Sequence, residues 1–198
     1  MDFRESVTKD NLMRAFAGES QARNRYTFAA ETAKQQDLYI IEGIFKFTAS
    51  QEEAHAKVFY NHLNELAKST IHIDGGYPVD LSNNVVDLLE MATHNEYEEH
   101  DDVYKSFAET ARQEGFANVA ASFQMIADIE KIHGDRFAKF ATLLKEGKLF
   151  VSDMSIHWMC MNCGYIYTGT SAPKKCPVCG VNQGYFLRME LTPYNIGC

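Results

Sequence analysis

The chain has 198 residues, 45% of them hydrophobic, with 19 basic against 27 acidic side chains and a net charge of −8. That length accommodates one mid-sized domain plus a small appendage, and the negative balance repels phosphate backbones, which excludes nucleic acid as an expected partner. No apolar run approaches the roughly 18 residues a membrane span needs, and the opening Met1-Asp2-Phe3-Arg4-Glu5 lacks the layout of a signal peptide, so a soluble, cytoplasmic protein with no membrane partner is expected.

Positions 1–147 hold one proline, Pro78, and are rich in Ala, Glu, Lys, Gln, Leu and Phe, which favours long helices. Inward-facing ladders with steps of three and four residues define four of them. The first runs through Leu12, Phe16, Glu19, Ala22, Tyr26, Ala29 and Ala33, and the second through Ile41, Phe45, Thr48, Glu52, His55, Phe59, His62 and Leu66. The third runs through Val85, Leu89, Ala92, Glu96, Glu99, Val103, Ser106 and Thr110, and the fourth through Val119, Phe123, Ile126, Glu130, His133, Phe137, Phe140 and Leu144. Short links at Gln36-Asp37 and Gly115 make each pair an antiparallel hairpin. Between the hairpins, Ser69 to Ser82 is long enough to run the length of a bundle, the one-crossover topology of ferritin-like folds. Glu19 and Glu96 are 77 positions apart and Glu52 and Glu130 are 78, so the two hairpins read as copies. The texture changes at Glu146-Gly147-Lys148, after which short aromatic segments punctuated by Gly and Pro predict a small β-rich domain over 148–198.

Polar residues occupy the middle rungs of all four ladders. A buried carboxylate without a counter-charge is very costly, so these groups must be paired, protonated or bound to cations. Residues three apart share a helix face, which makes Glu52 with His55, and Glu130 with His133, chelating pairs. Glu19 and Glu96 add a carboxylate from each remaining helix, and Glu99 adds a fifth one turn on. A salt-bridged polar core is the competing reading, but the recurrence of both pairs in register favours a dinuclear metal site of iron or manganese. Tyr26 and Tyr104, each one or two turns from a proposed ligand, are either core aromatics or donors to it. His62 reads as a core histidine; His72, His94, His100 and His157 read as surface or structural, and Glu53 and Glu98 point away from the site.

Cys160-Met161-Asn162-Cys163 and Cys176-Pro177-Val178-Cys179 form two Cys-x-x-Cys knuckles, enough for a tetrahedral four-sulfur cage. A zinc ribbon and a single-iron redox centre share this geometry. Glycines at 164 and 180 leave room for backbone amides to approach the sulfurs, Tyr165, Tyr167, Tyr185 and Phe186 supply a small core, and Cys198 reads as a free thiol.

Glu19 within Ala-Gly-Glu-Ser-Gln-Ala-Arg, Glu52-Glu53-Ala-His55, Glu96-Tyr97-Glu98-Glu99, Glu130-Lys131-Ile132-His133 and the Cys-Gly-Tyr to Cys-Pro-Val-Cys-Gly tail together resemble the rubrerythrins over nearly the whole length. The resemblance implies a carboxylate-bridged di-iron pair in the bundle, with Glu96 and His55 exchanging on one iron, and a rubredoxin-like domain holding a single iron on Cys160, Cys163, Cys176 and Cys179. It implies hydrogen peroxide as substrate, electrons from an NAD(P)H-linked reductase or a rubredoxin, and a head-to-tail homodimer. Glu19, Glu52, His55, Glu96, Glu99, Glu130 and His133, with Tyr26 and Tyr104, are then the catalytic set, and zinc is a possible substitute metal. Two other functions stay open: an iron-handling ferroxidase on the same fold, and a zinc-ribbon binding module on a structural bundle.

Overall fold

A computed structural model describes residues 2–193; Cys198 lies outside them. Helix α1 (Val7–Gln35) starts at Ser6, whose hydroxyl accepts from the Lys9 amide and so satisfies one free donor of the first turn. A turn with Asp37 at φ 57° reverses the chain into α2 (Tyr39–His62). The predicted second ladder overshoots here: Leu66 lies in a separate 3-10 turn, Asn64–Leu66, beyond the helix.

The crossover then returns along α1. Arg14 pairs with Asp74 at 2.7 Å, Arg25 pairs with Asp80, and the Gln36 amide donates to the Asn83 carbonyl at 2.7 Å. Twenty-two helical residues from Arg14 to Gln36 cover about 33 Å, and the nine residues from Asp74 to Asn83, nearly extended, cover about 30 Å. Two chain segments of very different length therefore keep step, which is possible only because one is helical and the other is not.

The third long helix is interrupted. α3 (Val85–Glu98) passes through a π-helical turn at Glu99–Val103 into α4 (Tyr104–Glu114), after which Gly115, at φ 92°, turns the chain into α5 (Ala117–Lys145). The π turn corrects the predicted ladder: beyond Glu99 the chain buries Tyr104, Ala108 and Ala111 in place of the expected Val103, Ser106 and Thr110, with Ser106 exposed and Val103 and Thr110 only partly buried. A π turn takes one residue more than an α turn, so everything after it shifts by one. The same residue explains the uneven repeat. Glu19 and Tyr26 are seven apart on a plain α-helix, while Glu96 and Tyr104 are eight apart across the π turn, and both pairs are two turns of helix.

α1 packs chiefly on α2, and α3 and α4 on α5. The interior is two apolar halves, one around Tyr26, Ile41, Phe45, Leu89 and Phe137, the other around Leu12, Phe59, Tyr104 and Phe123. The polar rungs lie between them.

After Gly147 (φ 68°) the chain forms a small antiparallel sheet of order β2-β1-β3, from β1 (Val151–Cys160), β2 (Ile166–Ser171) and β3 (Phe186–Arg188). Its core centres on fully buried Trp158 and Phe186; Tyr165 and Tyr185 pack at the margin, and Tyr167, expected inside, is exposed on β2, which is open to solvent along nearly its whole length. The domain sits on the α1–α2 turn: Tyr39 and Tyr185 stack at 4.1 Å, and Gly184 approaches so closely that a Cβ there would lie 1.7 Å from the Asp37 carbonyl oxygen.

Candidate metal centres

All four bundle helices deliver the mid-ladder groups to one place, in two overlapping sets: Glu19, Glu52, His55 and Glu130, and Glu52, Glu96, Glu130 and His133. Within each set the ligand atoms lie within 4.8 Å of one another. Glu52 and Glu130 belong to both. His55 Nδ1 faces Glu52 Oε2 at 3.1 Å and Glu130 Oε1 at 2.9 Å, while His133 Nδ1 faces Glu52 Oε1 at 3.0 Å and Glu130 Oε2 at 2.9 Å. Each of these carboxylates thus offers one oxygen to each half, the disposition of a bridging ligand. The two imidazoles lie nearly parallel with centroids 5.5 Å apart.

Whether a metal fits can be judged from what these atoms lack. Both oxygens of Glu52 and of Glu130, one each of Glu19 and Glu96, His55 Nδ1 and both His133 ring nitrogens are buried without a hydrogen-bond partner. The Glu52, Glu130 and histidine Nδ1 atoms face one another at 2.9–3.1 Å without well-aligned hydrogen bonds, and each buried polar atom left so costs roughly 1–3 kcal/mol, a large fraction of an ordinary stability of about 5–15 kcal/mol. Lone pairs converging from four carboxylates and two imidazoles fit a pair of divalent cations instead.

The electrostatics agree. Burial, reinforced by neighbouring carboxylates, pushes Glu19 and Glu96 well above the usual range. Burial acts on Glu52 in the same direction, but the two histidines outweigh it and bring its carboxyl to about 2. Against their own burial, the carboxylates around them raise His55 to about 9 and His133 to about 12. Without metal, protons stand in for the missing cations.

The tyrosines hold the outer oxygens. Tyr104 donates to Glu19 Oε1 at 2.6 Å and Tyr26 donates to Glu96 Oε1, so the pseudo-twofold repeat extends to both terminal carboxylates. Burial and adjacent carboxylates raise both phenols well above 10, which keeps them protonated and therefore donors. Glu99, opening the π turn, is half-buried and outside both four-group sets. Glu96 and His55 fall in different sets, Glu96 with His133 and His55 with Glu19.

Among the other sequence candidates, His62 shares a 2.9 Å hydrogen bond with Ser122, His72, His94 and His157 are exposed, and His100 binds the Ala127 carbonyl at 2.7 Å, pinning the π turn to α5. Sequence reasoning missed Arg136, which donates to Thr48 and Gln51 at 2.8 and 2.9 Å beside the site. It also missed the partly buried Arg25–Asp80–Asn95 link under the crossover. An arginine three residues after His133 on the same helix face was the available sign of the first; nothing in the sequence pairs positions 25 and 80.

The four cysteines form the second centre. Cys160 and Cys179 sulfurs are 3.8 Å apart and those of Cys163 and Cys176 3.7 Å. A tetrahedron with metal–sulfur bonds of about 2.3 Å has edges of about 3.8 Å, whereas a disulfide would need about 2.05 Å. Each knuckle closes on a left-handed glycine, Gly164 (φ 80°) donating to the Cys160 carbonyl and Gly180 (φ 78°) to that of Cys176. Burial raises the Cys160 thiol to about 12, while donors from the Asn162 side chain and the Val181 amide bring Cys179 down to about 6. Cys160 and Cys176 are buried and Cys163 and Cys179 face outward, so one edge of the cage is open to a partner.

A one-crossover helical bundle with a doubly bridged carboxylate–histidine site, followed by a four-cysteine knuckle domain, defines a ferritin-like dinuclear iron protein with a rubredoxin-like appendage. Comparison with known proteins narrows this. The rubrerythrin family profile matches residues 10–141, and that of the rubrerythrin rubredoxin-like domain matches residues 158–187. A rubrerythrin of Clostridium perfringens is 44% identical over 180 residues, covering 90% of this chain and 92% of that one. Among solved structures, nigerythrin in a mixed-valence state superposes with a TM-score of 0.62 at 26% identity, over 94% of this chain and 90% of that one. Mycobacterium tuberculosis bacterioferritin shares the fold, with a TM-score of 0.62 at 15% identity over 71% and 88%. The chain belongs to the rubrerythrin family, which are oxidoreductases, and its metal centres are a carboxylate-bridged iron pair and a four-cysteine iron. Among the described residues, no helix is long and apolar enough to cross a membrane.

Proposed function

We propose that this protein reduces hydrogen peroxide to water in defence against oxidative stress, with electrons drawn from an NAD(P)H-linked reductase or a rubredoxin by way of the four-cysteine iron. The observation that carries the reading is the buried site itself: two tyrosine hydroxyls that retain their protons are aimed at the terminal carboxylates of an iron pair enclosed between two apolar halves of the core. Each turnover consumes one peroxide, two electrons and two protons and yields two waters. When bound, the iron pair supplies one electron per metal and the Lewis acidity that polarises the O–O bond.

The chain's own residues do the rest. Glu19, Glu52, His55, Glu96, Glu130 and His133 hold the pair, with Glu99 as a further carboxylate one turn from Glu96. Tyr104 and Tyr26 orient Glu19 and Glu96 and keep a proton beside each half of the site. The apolar halves exclude bulk water, which strengthens every charge interaction between them.

Electron supply favours a head-to-tail homodimer in the cytoplasm. The small domain sits on Tyr39, thirteen residues before Glu52, so about 20 Å of α2 separates it from its own chain's iron pair. A second chain running the opposite way brings its four-cysteine domain beside this bundle. Replacing Cys160 with Ser tests the scheme. Loss of reductase-driven turnover, with chemically reduced protein still consuming peroxide, supports it; undiminished driven turnover refutes it.

A further inference from the structure

The side chains that hold the iron pair are nearly closed off from solvent: Glu19, Glu130 and His133 have no exposed surface, Glu52 and Glu96 expose 1% and 2%, and His55 exposes 7%. Any solute that reaches them must follow a defined path. Beneath the crossover lies a cavity of about 240 Å³, with Gly18 and Tyr104 on its inner side, Glu99 and Phe107 on the α3–α4 side, and Gly75 and Tyr77 above.

The inner wall belongs to the site. Gly18 directly precedes Glu19, the Tyr104 hydroxyl donates to Glu19 at 2.6 Å, and Glu99 stands one turn from Glu96. The roof is a short strap. Asp74 is fastened to Arg14 and Asp80 to Arg25, leaving the stretch between them to carry Tyr77, whose hydroxyl donates to the Arg14 carbonyl at 3.1 Å. The ring hangs over Gly18: a Cβ built there would lie 3.8 Å from Tyr77 Cε1, and one at Gly75 only 3.1 Å from the Tyr77 hydroxyl. The absence of a side chain at Gly75 is what gives the Tyr77 ring room to lie there.

We infer that this cavity is the route by which small polar solutes reach the Glu19–His55 half of the site, and that Tyr77 is its specificity-determining residue, passing hydrogen peroxide and rejecting branched alkyl hydroperoxides. The substrate assignment rests on the peroxidase reading; the route does not. Hydrogen peroxide is little larger than water, whose share of liquid volume is about 30 Å³, whereas the bulkier tert-butyl group meets the Tyr77 ring over Gly18 on its way to Tyr104. The polar lining from Glu98, Glu99, Asn95 and Gln21 suits a hydrated cation as well as a peroxide.

Two variants and two readouts test this. Gly18→Leu places an isobutyl group in the cavity, with Gly18→Ala as a control whose Cβ makes only ordinary contact. Gly18→Leu is expected to slow Co(II) uptake by the metal-free protein about fivefold or more, with an unchanged final Co(II) spectrum, and to lower kcat/KM for hydrogen peroxide about tenfold. Tyr77→Ala is expected to raise kcat/KM for tert-butyl hydroperoxide relative to hydrogen peroxide about fivefold or more, with Co(II) uptake no slower. Wild-type uptake in folded Gly18→Leu, or wild-type selectivity in Tyr77→Ala, overturns the inference. If Gly18→Leu does not fold, Tyr77→Ala decides alone. If the native protein turns over no peroxide, the peroxidase reading fails and Co(II) uptake still decides the route.

Discussion

Deleting one residue from a helix normally rotates everything beyond it by about 100°. In this protein the π turn at Glu99–Val103 holds one residue more than an α-helix needs, and deleting exposed Asp101 should convert it to α geometry while leaving both flanks in phase. Glu96 and Tyr104 would then be separated as Glu19 and Tyr26 are, and the Tyr104 hydrogen bond to Glu19 would persist. The cost is local: the His100 contact with the Ala127 carbonyl is disturbed, a net loss of about 1 kcal/mol, or roughly 2–4 °C in Tm at this chain length. A matched deletion of exposed Lys46 in α2 has no spare residue to absorb it. Either Ile40, Ile41 and Phe45 leave the core, at about 1.5–3 kcal/mol each, or Glu52 and His55 leave the site. Both outcomes approach the whole stability of a domain, about 5–15 kcal/mol. Thermal unfolding by circular dichroism and metal content per chain provide the assay. If the Asp101 deletion aggregates or loses its iron pair as the Lys46 deletion does, the account of the π turn as a phase-neutral insertion is wrong.

Other outcomes follow from the same geometry. Tyr104→Phe leaves Glu19 Oε1 without its donor and should destabilise the protein by about 1.5–3 kcal/mol, measured by chemical denaturation; an effect below the error of that measurement would deny the hydrogen bond a role. In the metal-free bundle His55 and His133 titrate at about 9 and about 12, both above neutrality, so both are charged at pH 7. Loading requires neutral imidazole, so it should release at least one proton per histidine, and affinity should rise as pH climbs toward 9; a pH-indicator titration that finds no release contradicts this. Gly184→Ala forces a Cβ against the Asp37 carbonyl and should free the small domain from the bundle. Proteolysis between Lys145 and Val151 should accelerate while the iron pair stays in place.

Much of this protein was legible in its sequence because its chemistry is written in local period. Glu52 with His55 and Glu130 with His133 share a helix face wherever the helix lies, and a Cys-x-x-Cys knuckle closes on itself, so ligand identity survives without knowledge of the tertiary fold. Carboxylates where a core wants leucine announced a cation for the same reason. What period could not supply was phase across an irregularity. The π turn moved Tyr104, Ala108 and Ala111 inward where a uniform helix would have placed Val103, Ser106 and Thr110, because a change from 3.6 residues per turn is invisible to a pattern that assumes it. Nor could the sequence say which half of the site each ligand joins. Glu96 stands with His133 and His55 with Glu19 because four helices approach from four directions, a matter of packing rather than spacing. The Arg25–Asp80 tether, the Tyr77 strap and the seat of the small domain on Tyr39 are likewise contacts between distant segments, set by how an extended crossover keeps pace with a helix.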